Sequence, residues 1–490
     1  MYDIGKTNKK FILYNQELQP LHKASTRIDE KTVNGLITDD TPAITAWMKQ
    51  ALENTPHRDR IAAIAVTTFG ATGVLLNGKD EPVIPVVSYN NEIPPETRKS
   101  FYREHGAPEE LYMRTGTPPY GQLLNFAIQL HWIRETMPDK YQATKTILFL
   151  PQYLSYILTG AKTVEVTSAG CHTYLYDIPL KTWSHVAERL QVPEKTPQGF
   201  TEVWKPIGKA KWLSHAAVTT GIHDSNASLL PLLVTGPDRN TVLASTGTWC
   251  VFMHPGAQFN PRREDVYRDV LYYVDAYSRP VKSARFKGGH EFEHYANLIS
   301  RIFNVPTTSF LDMDAHQETA RRILREKKLF ITPTLTPGSG QFPSSKPRII
   351  GQHLFTQDLK TAYHALNISI AAQTYYALKA MLGKPANIRL VVAGGFTRNP
   401  VYLKTLATML RPHNSTVAKT EHSDLTSLGT AITALAALHD TPPHKLDTEP
   451  VKKALRETEI PPLPDIDDDT VTEYLEAFKE HCRKNTGQPA

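Results

Sequence analysis

The sequence has few cysteines and no long apolar run, and both absences exclude classes of protein. Its 490 residues include only Cys171, Cys250 and Cys482, which are odd in number and far apart. This distribution argues against a disulfide framework and a zinc knuckle, and it fits a reducing cytoplasm. No run of about 18 apolar residues is present, and the N-terminus lacks a charged-then-apolar leader pattern. We therefore expect a cytoplasmic protein without a transmembrane helix or signal peptide.

A strong charge bias is also missing. The formal net charge is +6, and the basic residues are scattered along the chain. This pattern predicts neither a nucleic-acid partner nor a membrane partner, although it suits anionic small molecules weakly. A hydrophobic content of 40% and a charged content of 21% are ordinary for a globular protein. The length predicts two to three domains with large cores.

An acidic residue near the middle of the chain is the first candidate for chemistry. The stretch 220–231 places Asp224 between a glycine turn and an apolar helix start, beside His223. A carboxylate at such an edge, flanked by hydrogen-bonding groups, is how a general base is often presented. The alternative is that Asp224 only caps the helix, a role for which Ser225 and Asn226 compete. Taken alone, the stretch favours the cap.

Two hairpins with small, hydroxyl-bearing or basic tips are candidate phosphate sites. The first has Gly5 followed by the polar residues 6–9, and the second has the sequence Ser-Thr-Gly-Thr at 245–248. Turn amides together with hydroxyl or ammonium groups suit phosphate oxygens. Any polar hairpin looks like the first one, so the phosphate role depends on the pair. Two such hairpins about 240 residues apart suggest two copies of one architecture facing each other across a cleft.

One apolar run ends in residues suited to a substrate pocket. Residues 61–69 form a continuous apolar segment of strand length, typical of a buried strand in an α/β sheet. Ligands of open α/β sheets collect at the carboxyl ends of strands, which makes Thr68, Phe69 and Gly70 candidates. A plain hairpin turn at this place is an equally good interpretation.

A strand-to-helix junction in the second half has two consecutive glycines. Residues 388–393 predict a buried strand, and Gly394 and Gly395 follow it. Asn399 as a cap and Pro400 at the first helical position mark the helix start. Two glycines let the backbone lie against a planar or anionic ligand. The motif is not a Walker loop, because the Gly-Lys-Ser/Thr ending is absent.

The remaining patterns predict the general layout. We expect helices at 42–53, 122–136, 151–159, 315–328, 360–382 and 469–482, and a small-residue helix from Ser427 that packs closely on a neighbour. Residues 85–120 predict a surface excursion, and 332–348 predict a loop. Residues 441–464 predict a proline-rich linker or draped tail. His172 is expected to be a packing residue, because no metal-ligand spacing surrounds it.

In their order along the chain, these motifs resemble those of the FGGY carbohydrate kinases, within the sugar kinase, Hsp70 and actin superfamily. The motifs are Asp-Ile-Gly-Lys-Thr-Asn, Thr-Thr-Phe-Gly, the central His-Asp, Ser-Thr-Gly-Thr-Trp and Ala-Gly-Gly-Phe-Thr-Arg-Asn-Pro, over roughly residues 1–440. The resemblance implies an α/β fold of two ribonuclease H-like domains with a cleft between them. We expect an N-terminal sugar-binding domain at 1–235, a C-terminal nucleotide-binding domain at 236–440, and a proline-rich tail with a terminal helix at 441–490.

The resemblance also implies roles for particular residues. Asp224 becomes the expected general base, and Asp3 the residue that holds Mg²⁺ through water. The expected ATP contacts are Lys6, Thr7, Asn8, Lys9, Thr246, Gly247, Thr248, Gly394, Gly395 and Asn399. The expected substrate contacts are Thr68, Phe69, Gly70, His223 and Asn226. ATP and Mg²⁺ are implied, and because family members are often dimers a homodimer is expected.

Within the family, the segments 66–77 and 150–160 look closest to kinases of the 6-deoxy-ketohexoses L-rhamnulose and L-fuculose. Ser225 stands where rhamnulokinases often have Thr, and Phe69 where they tend to have Trp, so the particular sugar stays open. The implied reaction transfers the γ-phosphoryl group of ATP to a primary hydroxyl of a ketose. One alternative is a pentulose kinase for xylulose or ribulose. Another is a non-catalytic sugar or nucleotide sensor on the same fold, which the very short first strand would favour.

Overall fold

The computed structural model describes residues 1–120, 122–310, 313–422 and 424–485. The described chain forms two α/β halves, each built around one main β-sheet. None of the helices in this part of the chain combines the length and the hydrophobicity that a membrane-spanning segment needs.

The first half contains fifteen labelled strands and nine labelled helices. The strands are β1 (Tyr2–Ile4), β2 (Asn8–Tyr14), β3 (Pro20–Arg27), β4 (Lys31–Val33), β5 (Leu36–Asp39), β6 (Ala63–Ile64), β7 (Val66–Thr68), β8 (Gly73–Leu76), β9 (Val86–Val87), β10 (Thr146–Phe149), β11 (Tyr176–Asp177), β12 (Thr182–Trp183), β13 (Pro206–Ala210), β14 (Leu213–Thr219) and β15 (Ile222–His223). The helices are α1 (Thr41–Glu53), α2 (Pro95–His105), α3 (Pro108–Thr115), α4 (Phe126–Thr136), α5 (Pro138–Ala143), α6 (Leu150–Thr159), α7 (Val166–Ala169), α8 (His185–Arg189) and α9 (Asp224–Val234).

The main sheet of the first half has the order β15-β7-β1-β2-β3. Strand β1 pairs with β2 in the antiparallel sense and with β7 in the parallel sense, so the very short first strand is held on both edges. β15 continues the parallel set beside β7. The carboxyl ends of β1, β7 and β15 therefore meet at one edge of the sheet, and Asp224 directly follows β15 there.

The second half carries the remaining elements. Its strands are β16 (Thr241–Thr246), β17 (Cys250–His254), β18 (Val270–Val274), β19 (Pro280–Phe286), β20 (Phe330–Thr332), β21 (Arg348–Ile350), β22 (Arg389–Gly394), β23 (Thr416–Thr420) and β24 (Glu457–Glu459). Its helices are α10 (Gly288–Phe303), α11 (Gln317–Glu326), α12 (Gln352–Phe355), α13 (Leu359–Leu382), α14 (Pro400–Leu410), α15 (Leu425–Leu438), α16 (Glu449–Leu455) and α17 (Asp468–Lys484).

The seven-stranded sheet of this half repeats the arrangement of the first. Its order is β18-β19-β17-β16-β22-β23-β24. β16 pairs with β17 in the antiparallel sense and with β22 in the parallel sense, just as β1 pairs with β2 and β7. The two hairpins singled out in the sequence thus occupy equivalent positions in two similar sheets.

The last part of the chain is built into the second half and is not a draped tail, which corrects the sequence-based expectation. β24 forms the edge of the seven-stranded sheet by pairing with β23. The terminal helix, α17, was predicted, and it buries Leu475, Phe478 and Cys482 in the same core as α13. Because these apolar side chains recur at helical spacing, they dock the segment that the prolines seemed to set apart.

A second correction concerns residues 85–120, which were predicted to be a surface excursion. They contain β9, α2 and α3, and both helices start at prolines. Ile93, Phe101 and Leu111 are buried, so the segment contributes to a hydrophobic core of the first half. The predicted loop at 332–348 is mostly irregular and lies between β20 and β21.

Two helices join the halves. α9 begins at Asp224, and α15 of the second half packs against it. An added Cβ atom at Gly429 would lie 1.8 Å from the carbonyl oxygen of Ala227, so the two helix backbones touch at this point. The predicted close packing of the small-residue helix is confirmed, and it positions the start of α9.

Candidate active site

The carboxylate of Asp224 lies at the carboxyl-end edge of the first sheet. Its Oδ1 atom accepts hydrogen bonds from the backbone N–H of Ser225 at 2.6 Å and from the hydroxyl of Ser225 at 3.3 Å, and it lies 3.2 Å from His223 Nε2. Among the described residues, no group donates to Oδ2. The side chain is 33% exposed, and burial by the surrounding protein raises its pKa to about 6.

The helix-cap interpretation of Asp224 is not what the structure shows. Asp224 is the first residue of α9, the cap position is His223, and no side chain caps the helix there. A cap would place its side-chain oxygen on an amide two or three residues further along. The carboxylate is instead turned so that one oxygen is held and the other is open.

His223 is a neutral hydrogen-bond donor. Burial lowers its pKa to about 3. Its Nδ1 atom lies 3.1 Å from the side-chain amide of Asn226, and its Nε2 atom faces Asp224 Oδ1. A carboxylate can only accept, so the ring proton belongs on Nε2 and Nδ1 accepts from the amide. The contact between His223 and Asp224 is therefore a 3.2 Å approach of a neutral ring to a carboxylate.

This arrangement changes the roles expected for His223 and Asn226. Both side chains are buried and their polar groups face each other. The Sγ atom of Cys171 lies 3.4 Å from His223 Nε2, within hydrogen-bonding distance of this nitrogen. The geometry therefore does not support direct sugar contacts by Asn226. The side-chain amide of Asn226 instead holds the ring of His223, which lies beside Asp224.

Lys10, which the sequence analysis missed, lies in the cleft beside Asp3. Its ammonium group is 3.2 Å from Asp3 Oδ2 and 2.8 Å from Asp424 Oδ2. Asp3 and Lys10 are directly paired residues of β1 and β2. Side chains alternate between the two faces of a strand, so Lys10 shares a face with Asn8 while Lys9 points to the other. Applied to this hairpin, that alternation would have identified Lys10.

The ammonium groups of Lys9 and Lys6 are removed from the predicted phosphate contacts. Lys9 is 2% exposed, and its Nζ atom donates to the carbonyl oxygens of Lys6 and Ile28 at 2.9 and 2.7 Å. Lys6 Nζ is ion-paired with Asp39 and Glu30, both at 2.8 Å. Each ammonium group already has its partners inside the protein. The exposed residues Thr7 and Asn8 remain at the turn, as predicted.

Asp3 is a buried carboxylate among other charges. Its pKa is raised to about 6, first by burial and also by the nearby carboxylates of Asp424 and Asp224, against the opposing effect of Lys10. A buried carboxylate oxygen beside a second carboxylate suits a hard cation such as Mg²⁺, which commonly uses one or two carboxylates and keeps several waters. The donor set at Asp3 therefore fits the expected magnesium ion.

A cavity of about 470 Å³ lies at the corresponding edge of the second sheet. Five of the predicted nucleotide contacts line it, namely Thr246, Gly247, Thr248, Gly395 and Asn399. The other lining residues are Gly289, Phe292, Glu293, Ala296, Asn297, Thr307, Thr308, Phe310, Tyr363, Phe396 and Arg398. The second glycine motif and the second hairpin thus meet at one pocket of nucleotide size.

The backbone of the second hairpin is approached closely by two glycines beside this cavity. Gly394 has φ +88°, and an added Cβ atom would lie 2.2 Å from the carbonyl oxygen of Thr246. Gly289, in the first turn of α10, would place a Cβ atom 2.0 Å from the carbonyl oxygen of Gly247. The N-terminus of the 16-residue helix α10 therefore abuts the hairpin tip, where the helix dipole favours an anion. Sequence analysis did not assign this helix start a role.

The predicted sugar contacts at 68–70 divide into two kinds. The Thr68 side chain is fully buried and its hydroxyl donates to the carbonyl of Phe69, so it has no free group for a sugar. The ring of Phe69 packs edge-on against Tyr89. An added Cβ atom at Gly70 would lie 3.0 Å from His223 Nε2. The backbone of Gly70 therefore lies directly beside His223, the neighbour of Asp224.

The arrangement is that of a two-lobed α/β protein with paired phosphate-type turns and a nucleotide-sized cavity. Two family models match consecutive parts of the chain. The FGGY family of carbohydrate kinases, N-terminal domain, matches residues 1–223, and carbohydrate kinase FGGY, C-terminal domain, matches residues 238–443. The chain belongs to the FGGY family of carbohydrate kinases.

Similar proteins include two curated kinases. An L-fuculokinase from Haemophilus influenzae is 25% identical over 301 residues, covering 57% of this chain and 62% of that protein. A rhamnulokinase from Halalkalibacterium halodurans is 26% identical over 261 residues, covering 50% of this chain and 52% of that protein. The chain therefore spans about half to three fifths of the length of these relatives.

Solved structures match over nearly the whole chain. A carbohydrate kinase from Novosphingobium aromaticivorans has a TM-score of 0.79 and 26% identity, covering 99% of this chain and 98% of that one. A xylulose kinase from Lactobacillus acidophilus has a TM-score of 0.79 and 16% identity, covering 99% of this chain and 96% of that one; this likeness shows the fold alone. The matches confirm the predicted two-domain fold of the actin, Hsp70 and sugar kinase type.

Proposed function

We propose that the protein phosphorylates a primary hydroxyl of a ketose with ATP, and that Asp224 is the general base. The observation that carries the proposal is the geometry of the Asp224 carboxylate. Oδ1 accepts from the backbone N–H and the hydroxyl of Ser225 and lies beside His223, whereas Oδ2 has no donor among the described residues. With a pKa raised to about 6, the group is ionised at neutral pH and more basic than an ordinary aspartate.

In the proposed reaction, Asp224 Oδ2 accepts the proton of the sugar hydroxyl as the hydroxyl oxygen forms a bond to the γ-phosphorus of ATP. The bond between that phosphorus and the bridging oxygen breaks, and ADP leaves. Positioning and charge neutralisation account for most of the rate in such transfers. Mg²⁺, when bound with ATP, neutralises phosphate charge. The chain's task is therefore to align the hydroxyl with the phosphorus and to exclude water.

Opposed groups of the two lobes are proposed to hold the phosphates. Thr7, Asn8 and Lys10 present hydroxyl, amide and ammonium groups from the first hairpin. Thr248 presents its hydroxyl from the second, with the α10 N-terminus behind it, whereas the Thr246 hydroxyl donates to the carbonyl of Ala393 and the Gly247 amide to that of Trp249. Gly394, Gly395 and Asn399 are proposed to flank the adenosine, with Asp3 toward the magnesium ion. The cavity lined by Gly395 and Asn399 supports this assignment.

A 6-deoxy-ketohexose such as L-rhamnulose or L-fuculose is the proposed acceptor. Similarity to an L-fuculokinase and a rhamnulokinase supports this choice. A pentulose such as xylulose or ribulose is the second candidate, since a xylulose kinase shares the fold. The sensor alternative loses its main argument, because the short strand β1 is paired on both edges and Asp3 keeps its place beside Lys10.

The domain limits, assembly and location remain proposals as well. Limits at 1–235 and 236–440 are supported by the family matches at 1–223 and 238–443. The segment after 440 is proposed to belong to the second domain, because it supplies β24 and α17. Three buried, unpaired cysteines support a reducing, cytoplasmic setting. A homodimer is proposed from the family resemblance.

A coupled ADP-release assay over a panel of ketoses tests the function. We expect ADP release with one or a few ketoses well above the rate without sugar. Phosphorus NMR of the product then checks that a primary hydroxyl was modified. Wild-type protein that binds ATP yet releases no sugar-dependent ADP with any ketose of the panel would count against the kinase and favour the sensor.

A further inference from the structure

A buried arginine lies between two aromatic rings that come from the two halves of the molecule. Arg285 is 5% exposed. Its guanidinium lies 4.5 Å from the ring centre of Tyr120, in the first half, and 4.5 Å from that of Trp249, in the second hairpin. A planar guanidinium stacks well on aromatic faces, so its plane and its direction are fixed.

Most of the hydrogen-bonding capacity of Arg285 is unused by the protein. Its Nε atom donates to Asp269 Oδ1 at 3.3 Å. The other oxygen of Asp269 accepts from the backbone N–H of Gly340 at 2.7 Å. Across the described ranges, no residue accepts a hydrogen bond from either terminal nitrogen of Arg285. A buried charged group with free donors is costly unless a ligand or water satisfies them.

The local charge adds to this argument. The ammonium of Lys287 lies 5.2 Å from the ring centre of the same Trp249. Burial lowers the pKa of Lys287, as does the neighbouring charge of Arg285. Asp269 is ion-paired with Arg285 and acts on Lys287 only through its charge, so two cations share the influence of one carboxylate. A negatively charged or oxygen-rich ligand would compensate the excess positive charge.

The position of Tyr120 connects Arg285 to the acceptor side of the cleft. The hydroxyl of Tyr120 hydrogen-bonds to His172 Nδ1 at 3.1 Å, and the ring of His172 packs edge-on against Tyr273. Tyr273 in turn packs against His223, which orients Asp224. These rings therefore form a continuous aromatic wall that runs from His223, beside the proposed general base, to the guanidinium of Arg285. Arg285 terminates this wall on the side of the second half.

We propose that Arg285 determines acceptor specificity, by binding two adjacent oxygens at the end of the sugar remote from the hydroxyl that is phosphorylated. The inference depends on the proposed function and names a feature of its substrate. The two terminal nitrogens of Arg285 form a fork of hydrogen-bond donors. A carboxylate would accept from both arms of this fork and would also neutralise the excess charge. A neighbouring carbonyl and hydroxyl of a neutral ketose would satisfy the fork alone. The chemistry shared by the two sources is a pair of oxygens in one plane.

Arg285→Lys is the decisive variant, because it keeps the charge and removes the fork. Arg279→Lys is the matched control: Arg279 also stacks on a tyrosine and pairs with an aspartate next to β19, but its side chain is 51% exposed. We expect Arg285→Lys to raise KM for the acceptor at least tenfold and KM for ATP less than twofold. Arg279→Lys should leave both values within twofold of wild type.

Binding calorimetry separates this inference from the kinase proposal. Acceptor binding is measured for wild type, Arg285→Lys and the control, with neutral ketoses and with the sugar acids of matching chain length. Tighter binding of the acids, lost in Arg285→Lys, identifies a carboxylate as the partner of the fork. Tighter binding of the neutral ketoses, lost in the same variant, identifies the carbonyl–hydroxyl pair. Asp269→Asn keeps the fork and serves if Arg285→Lys does not fold; it should tighten acid binding at least threefold.

Several outcomes would overturn the inference. An increase in KM for ATP without a change for the acceptor would assign the fork to the phosphates. Unchanged acceptor binding in Arg285→Lys would show that the fork binds nothing on the sugar.

A different outcome separates the two proposals. A wild-type protein that binds an acceptor, loses this binding in Arg285→Lys and still transfers no phosphoryl group would refute the kinase proposal and leave the specificity role standing.

Discussion

The ammonium group of Lys10 lies 2.8 Å from the carboxylate of Asp424, across the boundary between the two halves. The same ammonium is 3.2 Å from Asp3, so one cation joins a carboxylate of the first sheet to the cap of α15. Without the first half, Asp424 would lose this cation. This link places Lys10 beside the residues of the first hairpin that are proposed to bind the ATP phosphates.

Lys10→Met is expected to lower kcat/KM for ATP by about 10- to 100-fold, the effect of losing a charge-assisted contact of about 1.5–3 kcal/mol. The neighbouring residue provides the matched control. Lys9→Met should leave the activity per folded molecule near wild type but destabilise the fold by about 1–3 kcal/mol, because it strands buried carbonyl groups. Initial rates at varied ATP and thermal unfolding of both variants check this pair. The reverse pattern would restore Lys9 as the phosphate ligand.

Asp224→Asn is expected to lower kcat by about 10²- to 10⁴-fold, the usual effect of losing a general base. Binding of ATP should stay close to wild type, since the carboxylate does not contact the nucleotide cavity. Initial-rate kinetics and nucleotide-binding calorimetry measure the two quantities. More than about a tenth of the wild-type kcat in this variant would refute the role, as that is far less than general-base loss costs.

The same substitution has an effect on stability whose sign follows from the raised pKa. A carboxyl group whose folded pKa lies near 6 binds its proton more tightly in the folded state than in the unfolded chain. Its ionisation therefore costs stability as pH rises from about 4 to 6. Asp224→Asn should unfold at a higher temperature than wild type at pH 7.5, and this advantage should disappear near pH 4. Melting curves at both pH values provide a folding control for the kinetic experiment.

The pH dependence of kcat/KM is expected to fall on the acid side, with a midpoint near pH 6. Asp224 must be ionised to accept a proton, and Asp3 must be ionised to attract a cation; both have a pKa raised to about 6. Two protonations near the same pH should make the acid limb steeper than tenfold per pH unit. His223 should add no transition there, because burial lowers its pKa to about 3.

Asp3→Asn is the control for that profile. The remaining activity should titrate with a single ionisation and a slope close to tenfold per pH unit. Rate measurements between pH 4.5 and 8 decide the matter. A wild-type acid limb centred near pH 4 would show that neither carboxylate has the basicity that burial provides.

Asn226→Asp tests the hydrogen-bond chain that orients the base. A carboxylate at 226 can only accept, so Nδ1 of His223 would have to carry a proton in addition to Nε2. The imidazolium formed beside Asp224 would lower the pKa of the base, which should shift the acid limb to lower pH and reduce kcat about tenfold. The pH profile and the nitrogen NMR shifts of His223 report the two changes.

Asn91→Asp is the matched control for this substitution. Asn91 is likewise buried, and its amide donates to the carbonyl groups of Ile37 and Ser88. We expect a loss of stability without a shift of the acid limb. If Asn226→Asp behaves in the same way as Asn91→Asp, the amide has only a packing role.

Gly429→Ala is expected to destabilise the protein, although alanine normally stabilises a helix interior by about 0.5–1 kcal/mol relative to glycine. The added methyl group would meet the carbonyl oxygen of Ala227 and push α15 away from α9. Since α9 begins at Asp224, kcat should fall together with the melting temperature. Thr426→Ala, on a less buried face of the same helix, should change neither. A stabilised Gly429→Ala protein would show that the helices can separate freely.

Local motifs in the sequence were enough to predict much of the architecture. Small residues and hydroxyls at 5–9 and 245–248 predicted turns, and both turns follow short strands in equivalent sheet positions. The helix start at Asn399 and Pro400 was identified for local reasons as well, whereas the single buried strand predicted at 61–69 is divided into β6 and β7, which belong to different sheets. Such features depend on neighbouring residues, through strand burial, turn chemistry and capping, so the sequence alone contains them.

The partners of individual side chains were not accessible in this way. Lys6 and Lys9 looked like phosphate ligands, but Asp39 and the carbonyl of Ile28 reach them only after folding. The terminal segment was predicted to be a loose tail because it contains many prolines. Its edge strand could not be predicted, since that strand forms by pairing with β23. Each of these cases depends on a residue distant along the chain.

The sequence by itself determined that Asp224 starts an apolar helix, that two polar hairpins exist and that glycines follow the strand at 388–393. Tertiary structure alone decided that Lys10 bridges Asp3 and Asp424, that Asn226 faces His223 and that Arg285 lies between Tyr120 and Trp249. The first set follows from covalent neighbours and strand or helix periodicity. The second depends on how two lobes close on each other, which sets the burial and the charge that each group meets.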